Sequence, residues 1–312
     1  MPMSKAVRAV LKALSYGGIE VEASRHLANL KALDPMKIFY KTIDEKVYNG
    51  EHEVPLRIYL PNAEALKGPG TIGNTYPVML FFHGGGWVTE QAENYDRVCA
   101  RMAQSTGHVV VSVDYRLAPE YPFPTGLMDC YAAARAIFMN ELFMHTAPER
   151  ITLIGDSAGG NLAAALCLLA KERGEFMPSR QILIYPATYN DYSEQSPFPS
   201  VHENGSGYLL TARKMNDYLK LYAGAPEDFQ NPLFAPMLAE DVTGMPRTLI
   251  LTAEFDPLRD EGEAYGEKLR SAGNQVEVHR IADALHGYFA LGIKHFYVEE
   301  SFRLINDFLK GV

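Results

Sequence analysis

The chain has 312 residues, 47% hydrophobic and 21% charged, ordinary values for a globular protein and enough length to bury a sizeable core. Its formal net charge of −9 disfavours nucleic acid and anionic membrane surfaces as main partners and leaves a small-molecule substrate open. No run reaches the roughly 18 apolar residues of a membrane span, and three widely spaced cysteines (Cys99, Cys130, Cys167) supply neither a disulfide framework nor a Cys-x-x-Cys zinc site.

Residues 1–40 read as helical. Val7, Val10, Leu11 and Leu14 fall on one face of an amphipathic helix, with Lys5, Arg8 and Lys12 between them. An unbroken apolar core of a secretory signal is missing, so the cytoplasm is the expected compartment. Two alternating stretches within residues 43–60 flank Asn49-Gly50, a hairpin signal. Residues 62–76 read as a surface loop. Short apolar runs at 78–82, 109–113, 151–154, 182–185, 248–251 and 276–281 are predicted strands. Segments 95–104, 127–143, 158–173, 261–272 and 302–309 are predicted helices. Their alternation implies a mainly parallel sheet with helices on both faces and antiparallel strands at one edge. Residues 188–225 break this rhythm with a loop-like 193–199 and a helical 211–222. An insertion of that length often serves as a lid. The expected division is cap helices in 1–45, a catalytic core from 46–187 and 226–312, and a cap insertion at 188–225.

The stretch Ile-Thr-Leu-Ile-Gly-Asp-Ser-Ala-Gly-Gly ending at Gly160 runs an apolar strand into Gly155-x-Ser157-x-Gly159 and at once into a helix. This is the pattern of a nucleophile elbow, a sharp turn that exposes the Ser157 hydroxyl and brings the Ala158 N–H under a reacting carbonyl. His83-Gly84-Gly85-Gly86-Trp87 follows the third predicted strand, where consecutive glycines let backbone N–H groups converge on an oxyanion. No phosphate-loop pattern accompanies them. His83 reads as a structural hydrogen-bonder, because the chain order of this chemistry puts the base after the serine. His286 meets that condition in the loop after the last strand. His279 falls inside a strand pattern and His295 in the final helical region. The acid belongs after the penultimate strand. Asp256, before Pro257, is the choice there, with Glu254 and Asp260 as alternatives should Asp256 only cap a helix.

His83 to Trp87, Asp114-Tyr-Arg-Leu-Ala-Pro-Glu120, Gly155 to Gly160, Asp256-Pro-Leu-Arg-Asp260 and His286-Gly-Tyr-Phe289 come in one order along the chain. Together they resemble the hormone-sensitive-lipase-like family, the bacterial family IV carboxylesterases of the α/β-hydrolase superfamily. The resemblance implies an α/β-hydrolase fold with a helical cap and a Ser157, Asp256, His286 triad. It implies an oxyanion hole of Gly84, Gly85, Gly86 and Ala158, in which Gly84 shapes the turn and the other three donate. It also implies structural support from residues 114–120. The expected activity is serine carboxylester hydrolysis of short acyl esters through an acyl-enzyme, needing no metal or organic cofactor. A small ester is the expected partner, without nucleic acid, and a homo-oligomer is compatible with the sequence. Rival readings are a ligand-binding pseudoenzyme on the same scaffold, and an amidase or peptidase.

Overall fold

The computed structural model describes residues 19–31, 42–62, 65, 76–142, 146–291 and 296–311. The expected helix within residues 1–16, most of the 62–76 loop, and His295 lie outside them. The first described helix is α1 (Val21–Lys31). Strands β1 (Thr42–Tyr48) and β2 (Glu53–Tyr59) follow as an antiparallel pair. Their turn forms because Gly50 takes φ +100° and Asn49 Oδ1 accepts the N–H groups of Glu51 and His52.

Next come β3 (Val78–Phe82), α2 (Asp96–Thr106), β4 (Val109–Val113) and α3 (Thr125–Phe138). Then β5 (Ile151–Asp156), α4 (Ala158–Arg173), β6 (Arg180–Ile184), and two helices of the insertion, α5 (Pro199–Asn204) and α6 (Ala212–Tyr222). The chain ends with β7 (Arg247–Phe255), α7 (Arg259–Ser271), β8 (Val276–Leu285) and α8 (Phe296–Lys310).

Among the described residues, eight strands form one sheet in the order β1-β2-β4-β3-β5-β6-β7-β8, antiparallel only where β2 meets its neighbours. Alternation within β3 explains why its apolar run is unbroken. Val78, Leu80 and Phe82 enter one core, while Met79 and Phe81 enter the core on the other face. Helix α4 is buried along its first thirteen residues and stops where Gly174 takes φ +66°. Among the described residues, no helix is long and apolar enough to cross a membrane.

Several boundaries differ from the sequence reading. Helix α3 ends at Phe138 rather than 143, because Asn140 turns to φ +55°. Helix α8 begins at Phe296 rather than 302. Helix α5, which opens on Pro199, was not anticipated. The larger difference is at the ends of β7 and β8, both longer than expected. Their pairing runs from Ala253↔Ile281 across a bulge to Phe255↔Leu285. Asp283 lies in that bulge at φ +60°, its N–H held by Glu254 Oε2 at 2.6 Å. The residues that follow the last pair are Asp256 and His286.

Candidate active site

Strand β5 delivers Ser157 at φ +55°, ψ −119°, a strained conformation for a residue with a side chain. The turn is possible because its flanking residues are glycines. A Cβ on Gly155 would come within 2.9 Å of the Gly160 nitrogen, and one on Gly159 within 2.7 Å of the His83 carbonyl. The neighbouring strand fastens the elbow, with Ser157 N–H donating to Ile184 O at 2.9 Å and Ala187 N–H to Ser157 O at 3.3 Å.

The pairing of β7 with β8 brings the other two groups to the same end of the sheet. Ser157 Oγ lies 2.8 Å from His286 Nε2, and His286 Nδ1 lies 2.7 Å from Asp256 Oδ2. A carboxylate can only accept, so Nδ1 carries the proton and Nε2 receives the hydroxyl hydrogen. The Asp256 side chain is fully buried, and its other oxygen accepts the Leu258 N–H at 2.9 Å. Asp256 therefore caps the following turn and also orients His286. The alternatives are occupied elsewhere. Asp260 pairs with Arg259 at 2.7 Å and accepts the Ser200 N–H, while Glu254 holds the bulge.

The glycine loop after β3 lies against the elbow. Gly84 N–H is committed to Asp156 Oδ1 at 2.9 Å and is shared with the Tyr95 hydroxyl at 3.1 Å. Gly84 thus fixes the loop, and its own donor is not available to a ligand. Gly85 (φ +104°) and Gly86 (φ +61°) turn the next two peptides in a way that side chains resist. Among the described residues, no acceptor meets the N–H of Gly85 or Gly86. Ala158 opens α4, so its N–H has no partner within the helix. His83 is buried, stacks on Tyr115 with ring centroids 4.2 Å apart, and bonds through Nδ1 to Gly84 O at 2.8 Å. Burial lowers its pKa, so it stays neutral and structural.

Gly85, Gly86, Ser157, Ala158 and His286 line one cleft of about 160 Å³. Leu210, Met215 and Tyr218 from the 188–225 segment close part of it. Helix α6 reaches the glycine loop through aromatic contacts. The Tyr218 ring fills the space beside Gly86, and Tyr222 stacks on Trp87 with centroids 4.4 Å apart. The 114–120 segment braces the surroundings, with Asp114 accepting the Ala92 N–H and Arg116 paired with buried Asp129. Arg25 on α1 bonds to Val88 O at 2.9 Å and to Glu120 at 2.7 Å, which docks α1 beside the same loop. Among the described residues, no cluster of His, Cys, Asp and Glu could hold a metal ion.

Two carboxylates with clear roles were not singled out by sequence. Asp156 ends an otherwise apolar strand, and burial pushes it up to about 6 against the opposing influence of His286, Tyr95, Gly84 and Tyr185. Glu261 sits buried in the first turn of α7. A charged residue inside an apolar strand was the available signal for Asp156. Glu261 had none, because acidic residues are common in first turns.

A family model described as the alpha/beta hydrolase fold matches residues 79–290. An arylesterase of Saccharolobus solfataricus is 34% identical over 271 residues, covering 86% of this chain and 83% of its own. An ethyl acetate hydrolase of Pseudomonas putida is 36% identical over 244 residues, covering 77% and 73%. The solved esterase of Pyrobaculum calidifontis superposes with a TM-score of 0.86 at 33% identity, covering 99% of this chain and 98% of that one. With these matches and the geometry above, the chain belongs to the α/β-hydrolase-fold family, in its hormone-sensitive-lipase-like group.

Proposed function

We propose that the protein is a serine carboxylester hydrolase for short acyl esters, with Ser157, His286 and Asp256 as its triad. The observation that carries this reading is the continuous hydrogen-bonded chain from Ser157 Oγ through His286 to Asp256, opening on the cleft beside the glycine loop. In the proposed cycle His286 Nε2 takes the Ser157 proton as Oγ attacks the ester carbonyl. Asp256 keeps the imidazole oriented and stabilises its cation. The N–H groups of Gly85, Gly86 and Ala158 receive the oxyanion, with Gly84 as the residue that sets their turn. His286 then protonates the departing alcohol, and water repeats the sequence on the acyl-enzyme. The route draws on side chains, backbone and water alone.

The short-chain preference rests on size. A cleft of about 160 Å³ is close to the ~150 Å³ cavity that accommodates one benzene. The names of the relatives, an arylesterase and an ethyl acetate hydrolase, agree with small esters. In this reading the 188–225 segment, with helix α1, is the cap that limits depth. Three buried free thiols suit a reducing compartment, and the cytoplasm is the proposed location. The test is labelling with a fluorophosphonate probe together with p-nitrophenyl acetate hydrolysis. Both are expected in the wild type and both should vanish in Ser157→Ala. Hydrolysis without labelling, or labelling that survives the substitution, would move the nucleophile elsewhere. A p-nitroanilide cleaved faster than the matching ester would favour amidase chemistry instead.

A further inference from the structure

Asp156 has no task in the cycle above, yet it stands one residue before the nucleophile and is 1% exposed. A buried carboxylate is costly unless donors surround it. Here they come from three parts of the chain. Oδ1 accepts the Gly84 N–H at 2.9 Å. Oδ2 accepts the Tyr95 hydroxyl at 3.2 Å and the Tyr185 hydroxyl at 3.3 Å. Tyr185 gives its one proton to Asp156, and its oxygen accepts the Phe289 N–H at 3.1 Å. Phe289 follows His286 in the same turn, and the Tyr185 ring itself lies 4.7 Å from the His286 ring. One carboxylate thus joins the glycine loop on one side to the histidine loop on the other, through a strand that carries the nucleophile.

We propose that Asp156 is a positioning residue that holds the oxyanion loop and the His286 loop in a fixed relation to Ser157. The inference rests on the esterase reading and adds a residue to it. An ionised carboxylate is acceptor-only, so it serves all these donors at once without having to place a proton of its own. Bonds to a charged acceptor are also stronger than neutral ones. The negative charge faces an imidazole that must become a cation in the transition state. His286 in turn favours the charged form of Asp156 against burial, which pushes the group up to about 6. Tyr95 and Tyr185 are the other titratable groups that touch it, and burial raises both of them, so they remain neutral donors. The consequence falls on kcat. A loop displaced by a fraction of an ångström still admits substrate but no longer aims its N–H groups at the oxyanion.

The experiment compares Asp156→Ala, Asp156→Asn and Tyr185→Phe in the full chain, each checked for a cooperative thermal transition. The assays are kcat and KM on p-nitrophenyl acetate. Asp156→Ala should lower kcat about 100-fold, the lower end of what loss of one oxyanion donor costs, with KM within about threefold. Asp156→Asn should recover about tenfold of that loss, because the amide oxygen still accepts the Gly84 N–H. Tyr185→Phe should lower kcat severalfold, and adding it to Asp156→Ala should cost little more, since both act through one connection. A folded Asp156→Ala enzyme with wild-type kcat, a loss confined to KM, or no rescue by asparagine would overturn the proposal. Should the alanine variant fail to fold, full kcat in Tyr185→Phe together with full kcat in Asp156→Asn does the same. Failure of the esterase reading looks different: the wild type would then neither turn over the ester nor take the fluorophosphonate.

Discussion

Gly86→Ala isolates the contact between the glycine loop and helix α6. Gly86 sits at φ +61°, and a Cβ there would lie 2.6 Å from Tyr218 Cε1, with two further ring carbons nearer still. A side chain in the left-handed region costs about 1–2 kcal/mol, and overpacking a close contact costs about 1–3 kcal/mol. The sum, about 2–5 kcal/mol, is the cost once neighbours have shifted; left unrelieved, carbon–carbon contacts this short would cost far more. The cheaper response is a shift of the loop or of the ring, and the loop carries the Gly85 and Gly86 N–H groups. We therefore expect kcat on p-nitrophenyl acetate to fall about 100-fold or more, in the range for a lost oxyanion donor, and the thermal midpoint to drop. Tyr218→Ala in the same chain removes the obstacle and leaves only the backbone strain. The double variant should be at least about tenfold faster than Gly86→Ala alone, a non-additivity expected of groups in contact. A double variant no faster than the single one would show that the ring does not transmit the strain, and would refute this account of how α6 bears on the loop.

Removal of either side chain proposed to react, Ser157→Ala or His286→Ala, should reduce turnover about 10⁶-fold while the fold survives, as read by circular dichroism and p-nitrophenyl acetate hydrolysis. Asp256→Asn should cost about 10⁴-fold. Asp260→Asn should cost far less, because Asp260 is engaged by Arg259 and Ser200; the reverse ranking would reassign the acid. Across p-nitrophenyl esters from C2 to C16, kcat/KM should peak between acetyl and about hexanoyl, since each buried methylene gains roughly 0.8 kcal/mol only until the cleft is full. A maximum at C12 or longer would contradict the small cleft.

The parts of the site that could be read from sequence are those whose requirements are local. Gly155 and Gly159 sit at fixed offsets from Ser157 because the strand-to-helix turn forces close backbone contact there. The glycines after β3 likewise announce their conformation, since Gly85 and Gly86 both need positive φ. The acid was harder. Glu254, Asp256 and Asp260 crowd one short stretch, and the choice among them depends on how β7 pairs with β8 beyond the bulge at Asp283. That register is set by a partner strand distant in the chain, and no pattern near Asp256 records it. Helix α5 has six residues, too few to display a period. The contacts of Tyr218 with Gly86 and of Tyr222 with Trp87 are between segments far apart in sequence, each aromatic being readable only as a core residue of its own helix. Sequence thus exposes groups whose backbone is unusual and conceals contacts with distant neighbours; the charge of Asp156 on its strand marks the residue, but not the bonds to Gly84 and Tyr185 that give it a role.

Glu261 gives a test of how the 188–225 segment is anchored. Its Oε1 accepts the Thr188 N–H at 2.6 Å, the Tyr189 N–H at 3.2 Å and the Tyr192 hydroxyl at 2.9 Å, at the root of that segment. Burial pushes its carboxyl up to about 8; the Thr188, Tyr192 and Tyr189 donors oppose the rise and the nearby Asp256 charge adds to it. In the unfolded chain a glutamate titrates near 4.3, roughly. Between those values the native protein holds a proton that the unfolded chain has lost, so stability falls as pH rises. The contribution is fully present below about pH 4 and is lost as pH climbs to about 8, with a slope of at most about 1.4 kcal/mol per pH unit. Asp156, raised by burial from 3.8 to about 6, contributes in the same direction over a lower window. Glu261→Gln removes the titration and keeps an oxygen to accept the same donors. Urea midpoints of the wild type and the variant, measured from pH 5 to pH 8.5, should therefore diverge as pH rises, with the variant gaining relative to the wild type up to about pH 8 and a constant difference above it. Parallel curves would mean that Glu261 enters the fold already ionised, and that its three donors outweigh the burial that surrounds it.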